Sequence, residues 1–529
     1  MSSVSITIRN NNLTIRGDSG EILLDILREN DIFVPAPCGG SGKCRHCRVA
    51  LIHVDGSSEE ILSCLYTVES DITIYIPEFE GDTYAPDTAN IPQTDVISKN
   101  AGALGVGVDL GTTTVVASLL DLSSGDTLAT ISQWNKQGSC GGDVISRITY
   151  ANTHENGLST LTHIIRKQIA DEIHLLLKDA GLFDPAINDI TAISIAGNTI
   201  MQHIFAGIDP ADIAVAPYTP KTLFKEDTLI TYEEFPQAKV HLTPCIAGYV
   251  GGDITAGMLA ASLDKKEGNY LFLDLGTNGE MALGGKSDFL CCSVATGPAF
   301  EGAEISCGMM GSPGAISHVR WDGSSYTYDV IGQSKPIGIC GSGLIDLLAM
   351  LLHFGVVDET GRMLPPDDFM DEYNEDVFPT KDDARIFADT HITEDGNGNG
   401  CFYVTEDHSV YFTAGDVRKL QLAKASVAAG IEILISEKGI KKSDVSGTYI
   451  AGGFGDHLQL ENAATIGMIP ADLIPCAKTL GNTSLAGSIT LVNEPESLGR
   501  ILSMIDGCAY IELSTNKEFS DVYIENMAF

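Results

Sequence analysis

Cys38, Cys44, Cys47 and Cys64 stand in P-C-G-G-S-G-K-C-R-H-C and L-S-C, with steps of six, three and seventeen positions along the chain. Four thiolates at such spacing are donors for an iron–sulfur cluster, whose chemistry is the acceptance and release of single electrons. Gly39, Gly40 and Gly42 let the loop wrap tightly, and its backbone N–H groups, with those of Ser41 and Lys43, can donate to cluster sulfur. Zinc also accepts a C-x2-C knuckle, but its sites usually pair two knuckles. Here a lone Cys38 and a lone Cys64 flank a single one, so a 2Fe–2S cluster is the expectation. The remaining cysteines, among them Cys291, Cys292, Cys307 and Cys340, lie in apolar or glycine-rich runs and read as buried thiols.

A second chemistry follows downstream. The string D-L-G-T occurs at 109–112, continued by Thr113, and again at 274–277, continued by Asn278. Gly111 and Gly276 let the backbone approach a phosphate, to which Thr112, Thr113, Thr277, Asn278 and the backbone N–H groups can donate. Asp109 and Asp274, at strand ends, are placed to hold Mg²⁺ through water. I-A-G-G-F-G-D supplies Gly452, Gly453 and Gly455, expected to open a helix beneath a nucleotide, and I-C-G-S-G supplies Gly341 and Gly343 as a bordering turn. Asp253 in G-Y-V-G-G-D reads equally as the residue that positions water for hydrolysis or as a helix N-cap. No G-x-x-x-x-G-K-[ST] string occurs, so ATP is not expected to be held in the P-loop manner. The set resembles the superfamily of acetate and sugar kinases, heat-shock cognates and actin over about residues 103–510.

The elements that must position these groups follow from periodicity. Val4, Ile6 and Ile8 alternate before an Asn turn, a helix spans about Glu21–Glu29, and Val49, Leu51, Ile72, Ile74 and Ile76 mark further strands, together a β-grasp unit over 1–80. Residues 81–102 lack periodicity and read as a linker. Three strands are expected at Leu104–Asp109, Thr114–Leu120 and Thr127–Gln133, then a helix near Leu158–Ala180 and a strand at Ala192–Ala196. A second strand–turn–strand at Tyr270–Leu283 repeats the first unit 165 residues on and implies a duplicated fold. A helix near Ala414–Lys438 and a strand at Gly447–Ile450 precede G-G-F-G. The expected class is multidomain α/β: a cluster domain at 1–80, a first ATPase subdomain at 103–206, and a second region at 207–529 with a surface insertion near 365–399.

Composition bounds the partners. The net charge of −39 opposes binding to nucleic acid or to an anionic membrane, since phosphate contacts need Lys and Arg. The start lacks a basic segment followed by an apolar one, and the apolar stretches carry Asp, Thr and Gly, so export and membrane spans are not expected. Thiols and metal ligation rather than disulfides point to the cytoplasm.

The cysteine spacing is close to that of plant-type ferredoxins, with one extra residue in the first gap. A ferredoxin-like domain joined to an actin-like ATPase resembles the reductive activators of corrinoid-dependent methyltransferases. Further strings carry the resemblance: G-D-V-I-S-R-I at 142–148, A-G-N-T-I-M-Q-H at 196–203, G-P-A-F-E-G-A at 297–303 and G-I-C-G-S-G at 338–343. The resemblance implies ATP-driven transfer of one electron, through a cluster on Cys38, Cys44, Cys47 and Cys64, to the Co(II) of a corrinoid protein, returning it to Co(I) for methyl transfer. It also implies a low-potential electron donor and, from relatives, a homodimer. His203 reads as a packed or surface histidine rather than a cobalt ligand. The alternatives are an activator of a dehydratase or reductase, whose cluster bridges subunits, a redox sensor using ATP as a switch, and a sugar kinase, which leaves the cysteine loop unexplained.

Overall fold

The computed structural model describes the chain except residues 1–2, 11, 37–39, 41, 43–46, 78–101, 183, 227, 277, 287, 303–304, 324, 397 and 453–456. The linker expected at 81–102 therefore lies, but for Gly102, outside the described residues. Two compact units are present, one built from the first half of the chain together with Ser488–Glu496, the other from Ile254–Gly487 and Ser497–Phe529.

The first unit opens with β1 (Ser3–Ile8), β2 (Leu13–Asp18), β3 (Glu21–Ile22), α1 (Leu23–Glu29), β4 (Arg48–Ile52), β5 (Ser58–Leu62), β6 (Thr67–Val68) and β7 (Ile72–Tyr75). Five of these strands form a sheet in the order β2-β1-β7-β4-β5, with β1 and β7 parallel. Alternation along β1 buries Val4, Ile6 and Ile8 against Leu23, Leu24, Ile26 and Leu27 of α1. This is the β-grasp arrangement that the pattern predicts.

The same unit continues with β8 (Leu104–Leu110), β9 (Thr114–Asp121), β10 (Thr127–Trp134), α2 (Val144–Thr153), α3 (Gly157–Asp179), β11 (Ile190–Gly197), α4 (Thr199–Ala206), β12 (Leu229–Ile230), β13 (Lys239–Leu242) and the start of α5 (Gly252–Ala260). The sheet order is β10-β9-β8-β11-β13-β12. Leu161, Ile165, Ile169, Ile173 and Leu176 form one buried stripe of α3, as a 3.6-residue period requires. This sheet runs on to Leu242, past the division at 206 drawn from the sequence, because β11 and β13 pair in parallel.

The second unit comprises β14 (Asn269–Leu275), β15 (Asn278–Gly285), β16 (Asp288–Ala295), β17 (Ala315–Trp321), β18 (Tyr326–Val330), β19 (Gly338–Ile339), α6 (Gly341–Phe354), α7 (Pro366–Glu372), α8 (Lys381–His391), β20 (Ile392–Glu394), β21 (Gly400–Tyr403), β22 (Tyr411–Thr413), α9 (Ala414–Glu437), β23 (Val445–Ala451), α10 (Leu460–Thr465), β24 (Ala477–Thr479), α11 (Thr483–Asn493), α12 (Ser497–Asp506), β25 (Cys508–Tyr510) and α13 (Phe519–Glu525), with α11 ending in the first unit. Its main sheet has the order β24-β23-β14-β15-β16-β25. Five neighbours match the first unit strand for strand. β10-β9-β8 and β16-β15-β14 are antiparallel, and each set is extended by two parallel strands, β11-β13 and β23-β24. The duplication expected from the repeated D-L-G-T is thus a duplication of topology.

The segment near 365–399 departs from the expectation of a surface insertion. It folds as α7, α8 and β20 and sends Phe369, Met370, Phe378, Ala384 and Ala388 into the main core. Its acidic side chains mask this, since the apolar ones occur at helical spacing within short elements.

Candidate functional site

The thiols of Cys47 and Cys64 converge to 3.1 Å, and both side chains are buried in the core of the small domain. Cys47 stands just before β4 and Cys64 follows β5, whose antiparallel pairing brings Arg48 opposite Leu62 and so the two cysteines together. Gly40 passes beside them, where a Cβ would lie 3.8 Å from Cys64 Cβ and 3.9 Å from Arg28 Nη2. Cys38 and Cys44 lie outside the described residues. An all-sulfur donor pair, closed in by an apolar shell and a glycine loop, suits an iron–sulfur cluster.

The first D-L-G-T turn joins β8 to β9. Asp109, partly exposed, pairs in register with Ala196, and Leu110 pairs with Gly197. Three side chains fix the peptide planes of the turn. Asn135 Nδ2 donates to Gly111 O at 2.8 Å while its own N–H donates to Thr113 O at 2.8 Å. Arg147 Nη2 donates to Thr112 O at 2.5 Å. Asn198, the N-cap of α4, donates to Thr112 Oγ1 at 3.0 Å while accepting from Met201 N. Arg147 is buried and sits among carbonyl acceptors and the Gln137 amide; burial lowers its guanidinium to about 10, so it stays charged at neutral pH. None of these three residues was singled out from the sequence as a binding residue. The signal was present, since Arg147 lies in G-D-V-I-S-R-I and Asn198 in A-G-N-T-I-M-Q-H. Asn135 left no such trace.

Asp253 occupies the first turn of α5 and is not its N-cap. The start of that helix packs on α4, where a Cβ at Gly251 would meet Asn198 Cα at 2.5 Å. Asp253 thus lies two residues past this close approach, in the same unit as the first turn. His203 of the same string is fully buried, with Nδ1 2.7 Å from Thr199 O, a packed histidine.

The second turn repeats the arrangement in the second unit. Asp274 pairs in register with Ala451, as Asp109 does with Ala196. Gly276 N donates to Asn278 O at 3.0 Å, and Thr296 Oγ1 donates to Gly276 O at 2.9 Å. Gly452 follows β23 with φ +94°, and a Cβ there would stand 2.9 Å from Asp274 Oδ1 and 2.8 Å from Leu275 O. The I-A-G-G string and the second turn are therefore neighbours, as a shared nucleotide site requires. Across the strand pair, Asp274 faces Glu280, which is buried. Two carboxylates side by side on one sheet face form a donor set for a hydrated divalent cation. Glu280 lies in D-L-G-T-N-G-E, where strand alternation was its only signal. Thr277, Gly453 and Gly455 lie outside the described residues. Gly341 and Gly343 form the first turn of α6. A Cβ at Gly343 would meet Ile316 O at 2.3 Å, so helix–strand packing demands that glycine.

Comparison with known proteins follows these divisions. Residues 6–69 match the 2Fe–2S iron–sulfur cluster binding domain, 104–266 the RACo middle region, and 268–529 the C-terminal ASKHA domain of RACo. The corrinoid activation enzyme RamQ of Eubacterium limosum is 30% identical over 93% of each chain. The [Co(II) methylated amine-specific corrinoid protein] reductase of Methanosarcina barkeri is 24% identical over 80% of this chain and 77% of its own. The solved structure of a reductive activator for corrinoid,iron-sulfur protein superposes with a TM-score of 0.69, at 27% identity over 99% of this chain and 98% of its own.

Proposed function

The chain belongs to the family of corrinoid activation enzymes, and from that premise we propose that it returns an inactive Co(II) corrinoid protein to Co(I) at the expense of ATP. The observation that carries the reading is the union, in one chain, of a converging thiol site and two D-L-G-T turns at equivalent places in two like sheets.

Cys38, Cys44, Cys47 and Cys64 hold the cluster in this reading, which when bound supplies a one-electron carrier. The balance is simple: one electron enters from a low-potential donor, one electron leaves, and cobalt passes from Co(II) to Co(I) with no bond to carbon made. In this reading each D-L-G-T turn, Asp109–Thr113 in the first unit and Asp274–Asn278 in the second, is a phosphate-binding turn through its backbone N–H groups, and Gly452, with Gly453 and Gly455, supplies the glycine-rich segment for the nucleoside. Asp109 and Asp274, the latter with Glu280, hold Mg²⁺ through its water shell. Asp253 orients the attacking water from the first turn of α5. ATP is required because Co(I) is harder to reach than a two-iron carrier ordinarily permits, and nucleotide-driven closure is a recognised way to supply such a difference. The partner is the corrinoid protein of a methyltransferase system, and the working assembly is a homodimer in the cytoplasm.

The test is anaerobic visible spectroscopy of a Co(II) corrinoid protein mixed with this protein and a low-potential reductant. A Co(I) band that appears with MgATP and is absent without it is the expected outcome. An intact, reducible cluster and a working ATPase that yield no Co(I) across several corrinoid proteins would direct the electron to another acceptor.

A further inference from the structure

One 3₁₀ turn, Lys136–Ser139, touches both the first D-L-G-T turn and the cysteine domain. On one side stands Asn135, its N-cap, bonded to Gly111 O and Thr113 O. Arg147 staples the same assembly, reaching Thr112 O, Gln137 Oε1 and Gly141 O at 2.5, 3.1 and 3.0 Å. On the other side lies the cysteine domain. Ala36 N, two residues before Cys38, donates to Gly138 O at 3.1 Å, and Arg28 Nη2 donates to Ser139 O. Arg28 is buried, paired with Asp25 at 2.8 Å, set 5.4 Å from the Tyr150 ring centroid, and directed at the Gly40 loop beside Cys64. The seam is not fully packed. It keeps an open cleft of about 110 Å³ lined by Arg28, Phe33, Lys136, Lys167 and Asp171.

We propose that this turn couples nucleotide at Gly111–Thr113 to the seating of the cysteine domain, with Arg28 as the positioning residue on the cluster side. The inference rests on the reading of that D-L-G-T turn as a phosphate site. Its direction follows from peptide geometry. In a trans peptide the C=O and N–H point opposite ways. Drawing Gly111 O toward Asn135 and Thr112 O toward Arg147 turns the N–H groups of Thr112 and Thr113 away from both, the orientation a phosphate needs. A seated cysteine domain holds Gly138 and Ser139, hence Asn135, and so favours the phosphate-ready turn. Coupling between two binding events is reciprocal, so nucleotide tightens the seat and its departure loosens it.

Hydrogen exchange on the cluster-loaded full chain tests this, with and without magnesium adenylyl imidodiphosphate. Nucleotide is expected to raise protection over residues 23–36 and 135–147. Arg28→Ala is expected to lose the rise at 23–36 and to bind the analogue about fivefold or more weakly. Arg28→Lys is expected to recover both, since an ammonium can donate to Ser139 O. Gly138→Leu places bulk against Phe33 from the other side of the seam, where even a Cβ would stand 3.9 Å from its ring. It should reproduce the loss with the cluster domain's sequence untouched, and it decides the matter if Arg28→Ala loses its cluster absorbance. Nucleotide bound without a rise at 23–36, or wild-type affinity in both Arg28→Ala and Gly138→Leu, overturns the coupling. A wild-type chain that binds no nucleotide overturns the phosphate reading beneath it.

Discussion

Single residues at the two turns show how the same task is met by different means. At the first turn the carbonyls are held by side chains, Asn135 and Arg147, brought from β10's end and α2. At the second, backbone and hydroxyl groups close the turn, and Gly452 leaves room for the Asp274 carboxylate. Gly452→Ala adds a methyl 2.9 Å from Asp274 Oδ1 at φ +94°. Backbone strain of this kind costs about 1–3 kcal/mol. The expected result is a lower urea midpoint for the second unit and weaker ATP binding, with the visible spectrum of the cluster unchanged. A variant that binds ATP like its parent would remove Gly452 from the site.

Among the elements, α3 carries a buried carboxyl with one oxygen lacking a partner. Glu172 is fully buried, with one carboxyl oxygen accepting from Gln168 Nε2 at 2.8 Å and the other without a partner. Burial pushes its carboxyl up to about 8, with the Gln168 hydrogen bond and Lys136 opposing and Asp171 adding. Between its ordinary value of 4.5 and 8, the folded chain keeps this proton and the unfolded chain releases it. The stability tied to the neutral form is therefore complete below pH 4.5 and is lost as pH rises toward 8, at up to ~1.4 kcal/mol per pH unit. Glu172→Gln removes that slope, so its urea midpoint should match the parent at pH 5 and exceed it at pH 9. Parallel pH profiles for the two proteins would refute the assignment. Gln168 also accepts from Lys136 N at 2.8 Å, so α3 braces the start of the turn beneath the cysteine domain. Elements of this kind were the most readable from sequence where they were long. The α3 stripe and the paired strands on both sides of each D-L-G-T turn follow directly from apolar periodicity. Segment 365–399 did not, because α7 and α8 are short and acidic, and the aromatics Phe369 of α7, Phe387 of α8 and Phe378 between them meet Phe354 and one another only through tertiary contact.

At the scale of the whole molecule, the redox and nucleotide chemistries occupy separate folds and should be separable by substitution. Cys47→Ser is expected to abolish the cluster spectrum and electron delivery while ATP binding stays within about twofold. Asp274→Ala is expected to keep the cluster spectrum and remove the ATP dependence of Co(I) formation, measured with the same corrinoid assay. Normal ATP turnover in Asp274→Ala would refute its role. Among the described residues, no helix is long and apolar enough to cross a membrane, in line with the Asp, Thr and Gly that interrupt each apolar stretch. The sequence by itself determined the chemistry: the cysteine spacing, the repeated D-L-G-T and the alternating or helical patterns are local properties, set by donor type and by the periods of strand and helix. Tertiary structure decided what those groups are held by. Arg147, Asn135 and Asn198 reach the first turn from α2, β10's end and α4, and Arg28 reaches Ser139 across 111 residues of chain. Hydrogen bonds between distant segments leave no spacing to read, because the chain path that joins them is fixed only when the sheets and helices pack.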